Sequence, residues 1–531
     1  MFDYLIVGGG SAGCVLAARL SENPDITVAL LEAGPVDNSV LIHCPAGLAV
    51  MAQTGQANWR ADGVRQPGLN GRQVHAPQGK VLGGSSAINA MIYIRGQRED
   101  YDHWAAEGND GWSYAELLPY FRRAEHNERG SDAFHGHAGP LHVMDPRSPN
   151  GFSTAFVQAA EQAGYAHNAD FNAAAQEGVG LYQVTQKEGE RFSASKAYLT
   201  PSLTRPNLQV WTGAHTTRIL LAQKRAIGVE FQHEGQLKQL MAKREVLLCA
   251  GALHSPLILM LSGIGAHAHL FEMGIATRHE LPGVGQNLHD HVGVALVVNA
   301  PRAKELFGIS PVGLWHAVKG IAAWRQHRSG ILSSNFAEAG GFIRSRPIEA
   351  TPDLQLSFVI RKLRAHGGGI AFGHGFSCQL SLLRPRSRGS LKLASKDPLA
   401  MPLIDPDFLG ERDDMERLLR GVTLARQILA QPALAALKGR ETAASAQAQS
   451  EVQIEQFIRD HAGSGHHPAG SCRMGKGPLD VVDPQLRVRG LQGLRVVDAS
   501  IMPSVVSGNT NAPVIMIAEK AVDMIKAAQR D

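Results

Sequence analysis

The chain has 531 residues, 44% of them hydrophobic and 19% charged, which excludes a disordered chain and favours two domains over a single core. A net charge of +4 without any basic block excludes nucleic acid as an expected partner. The five cysteines (Cys14, Cys44, Cys249, Cys378 and Cys472) show no CxxC pairing, so neither a disulfide framework nor a zinc site is expected, and no apolar run reaches the roughly 18 residues that span a bilayer.

Met1-Phe2-Asp3 leads directly into the apolar run Tyr4–Val7, leaving no room for the basic and apolar regions of a signal peptide; a cytoplasmic protein is expected. Tyr4–Val7 reads as a strand, Gly8–Gly13 as a turn, Cys14–Leu20 as a helix and Thr27–Leu31 as a second strand. Together they form a βαβ unit, whose parallel strands need a right-handed crossover. A second glycine cluster lies at Gly79–Ser86, and residues 130–150 and 300–330 are weakly patterned, as at changes of domain. Around 352–393 short runs alternate apolar and polar residues, as antiparallel strands do. Helical spacing covers Met415–Leu429, Glu451–His461 and the run from Val514 to Ile525. Pro513 suits the first turn of that last helix, with Asn511 or Thr510 as its cap.

Gly8-x-Gly10-x-x-Gly13 follows a strand and opens a helix. Glycine there permits the tight turn and lets a pyrophosphate approach the backbone, where the helix N-terminus supplies N–H donors and partial positive charge. Nineteen residues past Gly13, at the end of the second strand, stands Glu32, an acceptor for ribose hydroxyls. The motif alone leaves FAD and NAD both open.

Two longer stretches separate them. Gly79-Lys80-Val81-Leu82-Gly83-Gly84-Ser85-Ser86-Ala87-Ile88-Asn89 resembles the first signature of the glucose–methanol–choline (GMC) oxidoreductases, and the run from Gly251 to Gly265 is similar to the second. The resemblance extends through Pro282–Leu288, Ile404-Asp405-Pro406 and the segment from His466, nearly end to end. It implies an α/β fold (α+β overall). A Rossmann-like FAD-binding domain would be drawn from discontinuous segments 1–150, 195–300 and 462–531. A substrate domain of antiparallel sheet and helices would come from 151–194 and 301–461. The resemblance places FAD along Gly8, Gly10, Ser11, Ala12, Gly13, Glu32 and Ala33, then Gly83, Gly84, Ser85, Asn89, Ala90 and Met91, with Thr216 at the adenine and Asp498 and Ala499 near the flavin and its ribityl–pyrophosphate chain. Some relatives bond the flavin to a histidine at the position of Ile88; isoleucine cannot, so FAD is expected to be non-covalent.

Oxidising a CH–OH group needs a base for the hydroxyl proton while hydride leaves carbon, and histidine titrates near neutrality. Gly465-His466-His467-Pro468-Ala469-Gly470 resembles the family segment whose histidine before proline is catalytic, which makes His467 the expected base. Gly508-Asn509-Thr510-Asn511-Ala512-Pro513 resembles the segment carrying the second catalytic residue, expected at Asn511. Trp59, Glu338 and His466 are the substrate-side candidates, because a carboxylate and an indole suit a quaternary ammonium. Choline oxidisers, however, hold an aromatic residue where this chain has His466, so a primary aliphatic or aromatic alcohol is expected. Choline, sorbose or another polyol, and an oxygen-using oxidase remain alternatives, and a hydroxynitrile-lyase-like FAD protein is the alternative of another class. His289 and His291 invite a metal reading, but the family holds no metal there and a structural role near FAD is expected. The expected electron acceptor is a quinone or similar molecule, and the amphipathic stretch Val312–Trp324, with Lys319 and Arg325, is a candidate for peripheral membrane contact.

Overall fold

A computed structural model describes residues 1–363 and 372–529 as a mixed helix-and-sheet fold. In chain order the elements that position the site begin with β1 (Phe2–Val7), α1 (Ser11–Leu20), β2 (Val28–Leu31), β3 (Gly178–Leu181) and β4 (Leu208–Trp211). Next come β5 (His215–Ala222), β6 (Arg225–His233), β7 (Gln236–Leu248), α2 (Gly251–Leu261), β8 (Val292–Asn299) and α3 (Pro311–His327). The chain closes with β9 (Ala339–Ile343), β10 (Leu354–Val359), β11 (Gly373–Leu382), α4 (Arg412–Leu429), β12 (Leu494–Val496) and α5 (Asn511–Ala527).

The first sheet runs β4-β2-β1-β7, with β12 beside the end of β7, all parallel. Strand β1 is buried from Asp3 to Val7 and apolar without a break from Tyr4 to Val7, the pattern of a strand covered on both faces. The first half of β7 leaves this sheet and pairs antiparallel with β6, which pairs with β5. Helix α5 packs on α1 beneath the sheet, and the fully buried Glu519 of α5 takes Arg19, Arg123 and the Tyr198 hydroxyl. A buried carboxylate is tolerable there because it is paired.

The second sheet runs β8-β11-β10-β9-β3, antiparallel throughout, over its own apolar core. Helix α4 lies on its far face, where Gly421 lets the helix meet Leu380 closely: a Cβ on Gly421 would stand 2.5 Å from that side chain. Two sequence expectations shift. Strand β8, from the segment 195–300 expected in the FAD domain, pairs with β11 in this sheet, and Val292, Val294, Leu296 and Val298 enter its core. Of the stretch 352–393, Leu354–Val359 and Gly373–Leu382 join the second sheet, whereas Gly389–Lys392 pairs in a small separate sheet with Gln286–Leu288 and Leu403–Asp405. Residues 364–371 of that stretch lie outside the described residues.

The Gly8–Gly13 turn is crossed by the loop that carries Gly84: a Cβ on Gly84 would lie 2.6 Å from Gly10 Cα, and one on Gly13 would lie 1.9 Å from Gly8 O. At Gly10 the nearest atom to an added Cβ is 3.9 Å away. Gly13→Ala is therefore expected to destabilise the apoprotein by about 1–3 kcal/mol, because backbone must move. Gly10→Ala should leave the apoprotein melting temperature unchanged while impairing dinucleotide binding. Thermal melts of both cofactor-free variants check this; equal melting temperatures would contradict it.

Candidate active site

The N-terminus of α1 has Gly10 as its N-cap, no side chain capping it and no acid in its first turn. Its free N–H groups therefore open into a cavity of about 1590 Å³ lined by Gly8, Gly10, Ser11 and Ala12. That volume exceeds the roughly 300–1,000 Å³ of ordinary small-molecule sites and suits a dinucleotide plus substrate. At the end of β2, Glu32 Oε1 accepts from Gly34 N–H (2.7 Å) and Oε2 from Gly9 N–H (2.8 Å). Burial pushes its pKa up to about 7 against the pull of those two N–H groups and of Lys80. Each oxygen keeps a lone pair for a ribose hydroxyl. Ala33 and Thr216 also line the cavity, and the buried Thr216 Oγ1 and His254 Nε2 have no partner among the described residues. Such orphaned polar atoms fit a bound polar ligand.

The second glycine loop brings Gly84, Ser85, Asn89, Ala90 and Met91 to the same cavity, together with Ile88. Gly83 and Gly13 do not line it. Gly83 sits at φ +86° and donates its N–H to Gly9 O at 2.8 Å, so both glycines shape the turn from behind. Asp498 and Ala499 do line it, and the Asp498 carboxylate is engaged by Gly251 N–H, Ser255 Oγ–H and Ser500 N–H, which hold the start of α2.

His467 stands where the two halves meet. Its backbone N–H donates to Asp290 Oδ1 at 2.9 Å, its Nδ1 lies 2.9 Å from His291 Nδ1, and its Nε2 lies 3.2 Å from Asn509 Nδ2. Gln355 Nε2, reaching from β10, donates to Asn509 Oδ1 at 3.3 Å. Burial holds His467 well below the usual histidine value, with His291 and His466 adding to the effect, so the ring is neutral. The asparagine beside His467 is thus Asn509, whereas Asn511 was expected. Asn511 is the first residue of α5 and accepts from Ser11 Oγ at 2.8 Å, joining the starts of α5 and α1; Asn509 precedes the helix, on the turn set by Gly508 at φ +143°. Neither Asn511 nor Thr510 caps α5 through its side chain.

Of the substrate-side candidates, His466 faces the cavity at φ +66°, its N–H held by Ser464 Oγ. Trp59 also lines the cavity, its ring tilted against His254 with centres 4.2 Å apart, near His215 and under Lys80. Glu338 does not reach the cavity: it is 1% exposed and accepts from Asn150 N–H, Ser153 Oγ–H and Ser334 Oγ–H. The wall facing His467 is instead made by Gln355 and Ser357 of β10 and Gln379 and Ser381 of β11, paired Gln355↔Ser381 and Ser357↔Gln379. The alternation of 352–393 signalled these positions, since the polar residue of each pair is the one facing the cavity. His289 serves the backbone, with Nδ1 on Asn287 O and Nε2 accepting from Val505 N–H.

Known proteins match this chain over nearly its whole length. Two family models described as GMC oxidoreductase match residues 2–293 and 385–518. The alcohol dehydrogenase [acceptor] of Pseudomonas putida is 44% identical over 528 residues, 99% of this chain and 96% of that protein. The mitochondrial choline dehydrogenase of Mus musculus is 42% identical over 540 residues, 99% of this chain and 89% of that protein. Among solved structures, pyridoxine 4-oxidase from Mesorbium loti superposes with a TM-score of 0.89 at 32% identity, covering 98% of this chain and 99% of that one. The chain belongs to the GMC oxidoreductase family, and it is an FAD-dependent enzyme that oxidises alcohols.

Proposed function

We propose that the substrate is an uncharged primary alcohol, aliphatic or aromatic, which leaves as the aldehyde, and that His467 takes its hydroxyl proton while Asn509 holds its oxygen. FAD, when bound, supplies the acceptor for the carbinol hydride at flavin N5. The α1 N-terminus and the Gly84–Met91 loop would hold its pyrophosphate, Glu32 a ribose and Thr216 the adenine side. The uncapped start of α5 offers partial positive charge to an anionic reduced ring. His467 Nε2 is the basic atom that faces the cavity, and Asn509 can donate to an alkoxide oxygen as its proton leaves.

One observation carries the substrate class. The carboxylates among the described residues lining the cavity are Glu32, Asp62 and Asp498. Glu32 and Asp498 belong to the cofactor cradle, and Asp62 pairs with His75. The wall near His467 thus carries amides and hydroxyls but no counter-charge for a quaternary ammonium, which argues against choline. For the electron acceptor, the reading is a quinone-type molecule met at a membrane surface. Among the described residues no helix is long and apolar enough to cross a membrane. Helix α3 buries little beyond Gly320 and Trp324. It leaves Leu314, Trp315 and Val318 at 69%, 54% and 60% exposure, carries Lys319 over Trp315 and holds no acidic residue. Its Gly313, His316 and Ala317 line the cavity, so contact through this face would set the cavity mouth against lipid.

Acid or heat should release FAD from the protein, since Ile88 offers no nucleophile; flavin retained on denatured chain would contradict this. Glu32→Ala should weaken FAD binding by about 1–3 kcal/mol, measured by fluorescence titration of apoprotein. In anaerobic stopped flow, 1-octanol or benzyl alcohol should bleach the flavin faster than choline or sorbose. His467→Ala should retain FAD yet bleach at least about a hundredfold more slowly. Asn509→Ala should slow bleaching more than Asn511→Ala; the opposite order would return the role to Asn511. Wild type should co-sediment with vesicles containing phosphatidylglycerol, and a Leu314→Ser, Trp315→Ser variant should not. Equal sedimentation of the two would overturn the membrane reading.

A further inference from the structure

His291 has no place in the reaction so far, yet its side chain is buried and touches the ring of His467. Its Nε2 lies 3.1 Å from both Leu383 O and Val506 O. Carbonyl oxygens only accept, so Nε2 must carry a hydrogen. A neutral imidazole has one N–H, and burial holds His291 neutral, with its pKa lowered to about 4. The other nitrogen, Nδ1, is therefore a bare acceptor, and it stands 2.9 Å from His467 Nδ1 with the rings nearly perpendicular at 79°. Only one hydrogen can lie between two nitrogens, and here it must come from His467.

We propose that His291 is a positioning residue that fixes the tautomer of His467, holding its hydrogen on Nδ1 so that the lone pair of Nε2 faces the substrate. The inference rests on the assignment of His467 as the base. When the alcohol O–H bond breaks, a new N–H bond forms at His467 Nε2, and the Nδ1–H to His291 persists unchanged. His291 stays neutral throughout, so it orients the imidazolium without adding a counter-charge. Asn509 is oriented in the same way, since the Gln355 amide donates to its Oδ1 and turns its Nδ2 towards His467. The charged groups nearby are otherwise occupied. Asp290 holds His467 N–H and the Ser464 hydroxyl, while Asp100 takes Ser507 N–H, the Ser507 hydroxyl and Arg384. Neither aims a carboxylate at the imidazole nitrogens. The two backbone carbonyls behind His291 come from Leu383, just past β11, and from Val506, ahead of α5. The tautomer is thus set by where the second sheet meets the C-terminal segment.

The test is a double-mutant cycle read by anaerobic flavin bleaching with benzyl alcohol on FAD-loaded protein. His291→Leu removes the acceptor and should slow bleaching at least about tenfold without changing the alcohol concentration for half-maximal rate. His291→Asn offers a carbonyl oxygen near the Nδ1 position and should recover most of that loss. In a His467→Ala background, His291→Leu should have no further effect, because it acts only through His467. Equal slowing by His291→Leu in both backgrounds would make His291 merely structural and overturn the proposal, as would a His291→Leu rate equal to wild type. If His291→Leu does not fold, His291→Asn decides alone: bleaching within about threefold of wild type supports the role, and a loss above about tenfold overturns it. Should His467→Ala itself bleach at the wild-type rate, the assignment of the base fails instead.

Discussion

One hydrogen bond joins residues 500 positions apart: Ser11 Oγ donates to Asn511 Oδ1 at 2.8 Å, tying the start of the first helix to the start of the last. Each helix leaves its N-terminal donors without a side-chain cap, and both open into one cavity. Uncapped donors that face a cavity suit an anionic ligand, as the pyrophosphate of FAD would be. The same junction sets what stands beside His467. Because α5 must begin at Asn511 to meet Ser11, the preceding turn delivers Asn509, two residues earlier, to His467.

Beyond that junction the site works with neutral groups. Gln355, Asn509, His467 and His291 form a chain of hydrogen bonds ending on two backbone carbonyls, and no carboxylate touches their reacting atoms. In a low-dielectric pocket such a chain fixes donor and acceptor roles tightly, since each misplaced hydrogen leaves a buried group unpaired. Burial keeps His467 unprotonated and ready to accept. In the proposed reaction the proton it gains comes from the alcohol, so a permanent counter-ion is unnecessary, and an uncharged substrate would match its surroundings.

Much of this was legible in the residues. The Gly8–Gly13 turn, Glu32 and the second glycine loop are local features, and local chemistry requires glycine and acid there whatever the distant chain does. The strands around Leu354 and Gln379 were legible because alternation reports which face is polar, and that polar face lines the cavity. What escaped depends on contacts between distant segments. Asn509 and Asn511 are the same residue type two positions apart, and choosing between them requires the helix start that Ser11 fixes. Glu338 looks like a free carboxylate until Ser153, 185 residues away, is seen donating to it. Trp59 was expected on the substrate side, and its partners there, His254 and Lys80, lie 195 and 21 positions away in the chain. Strand β8 carries an ordinary apolar alternation, and nothing local says which sheet will satisfy it.

The central claim is that proton and hydride leave one alcohol at one place, the hydroxyl proton to His467 and the carbinol hydrogen to the flavin. The most direct measurement is anaerobic stopped-flow bleaching at 450 nm with benzyl alcohol and with benzyl alcohol carrying deuterium at its carbinol carbon, with the aldehyde quantified at the end. The account predicts slower bleaching with the deuterated alcohol and one aldehyde formed per flavin reduced. An FAD-loaded enzyme whose flavin is bleached by no uncharged primary alcohol, or is bleached without aldehyde, would contradict it.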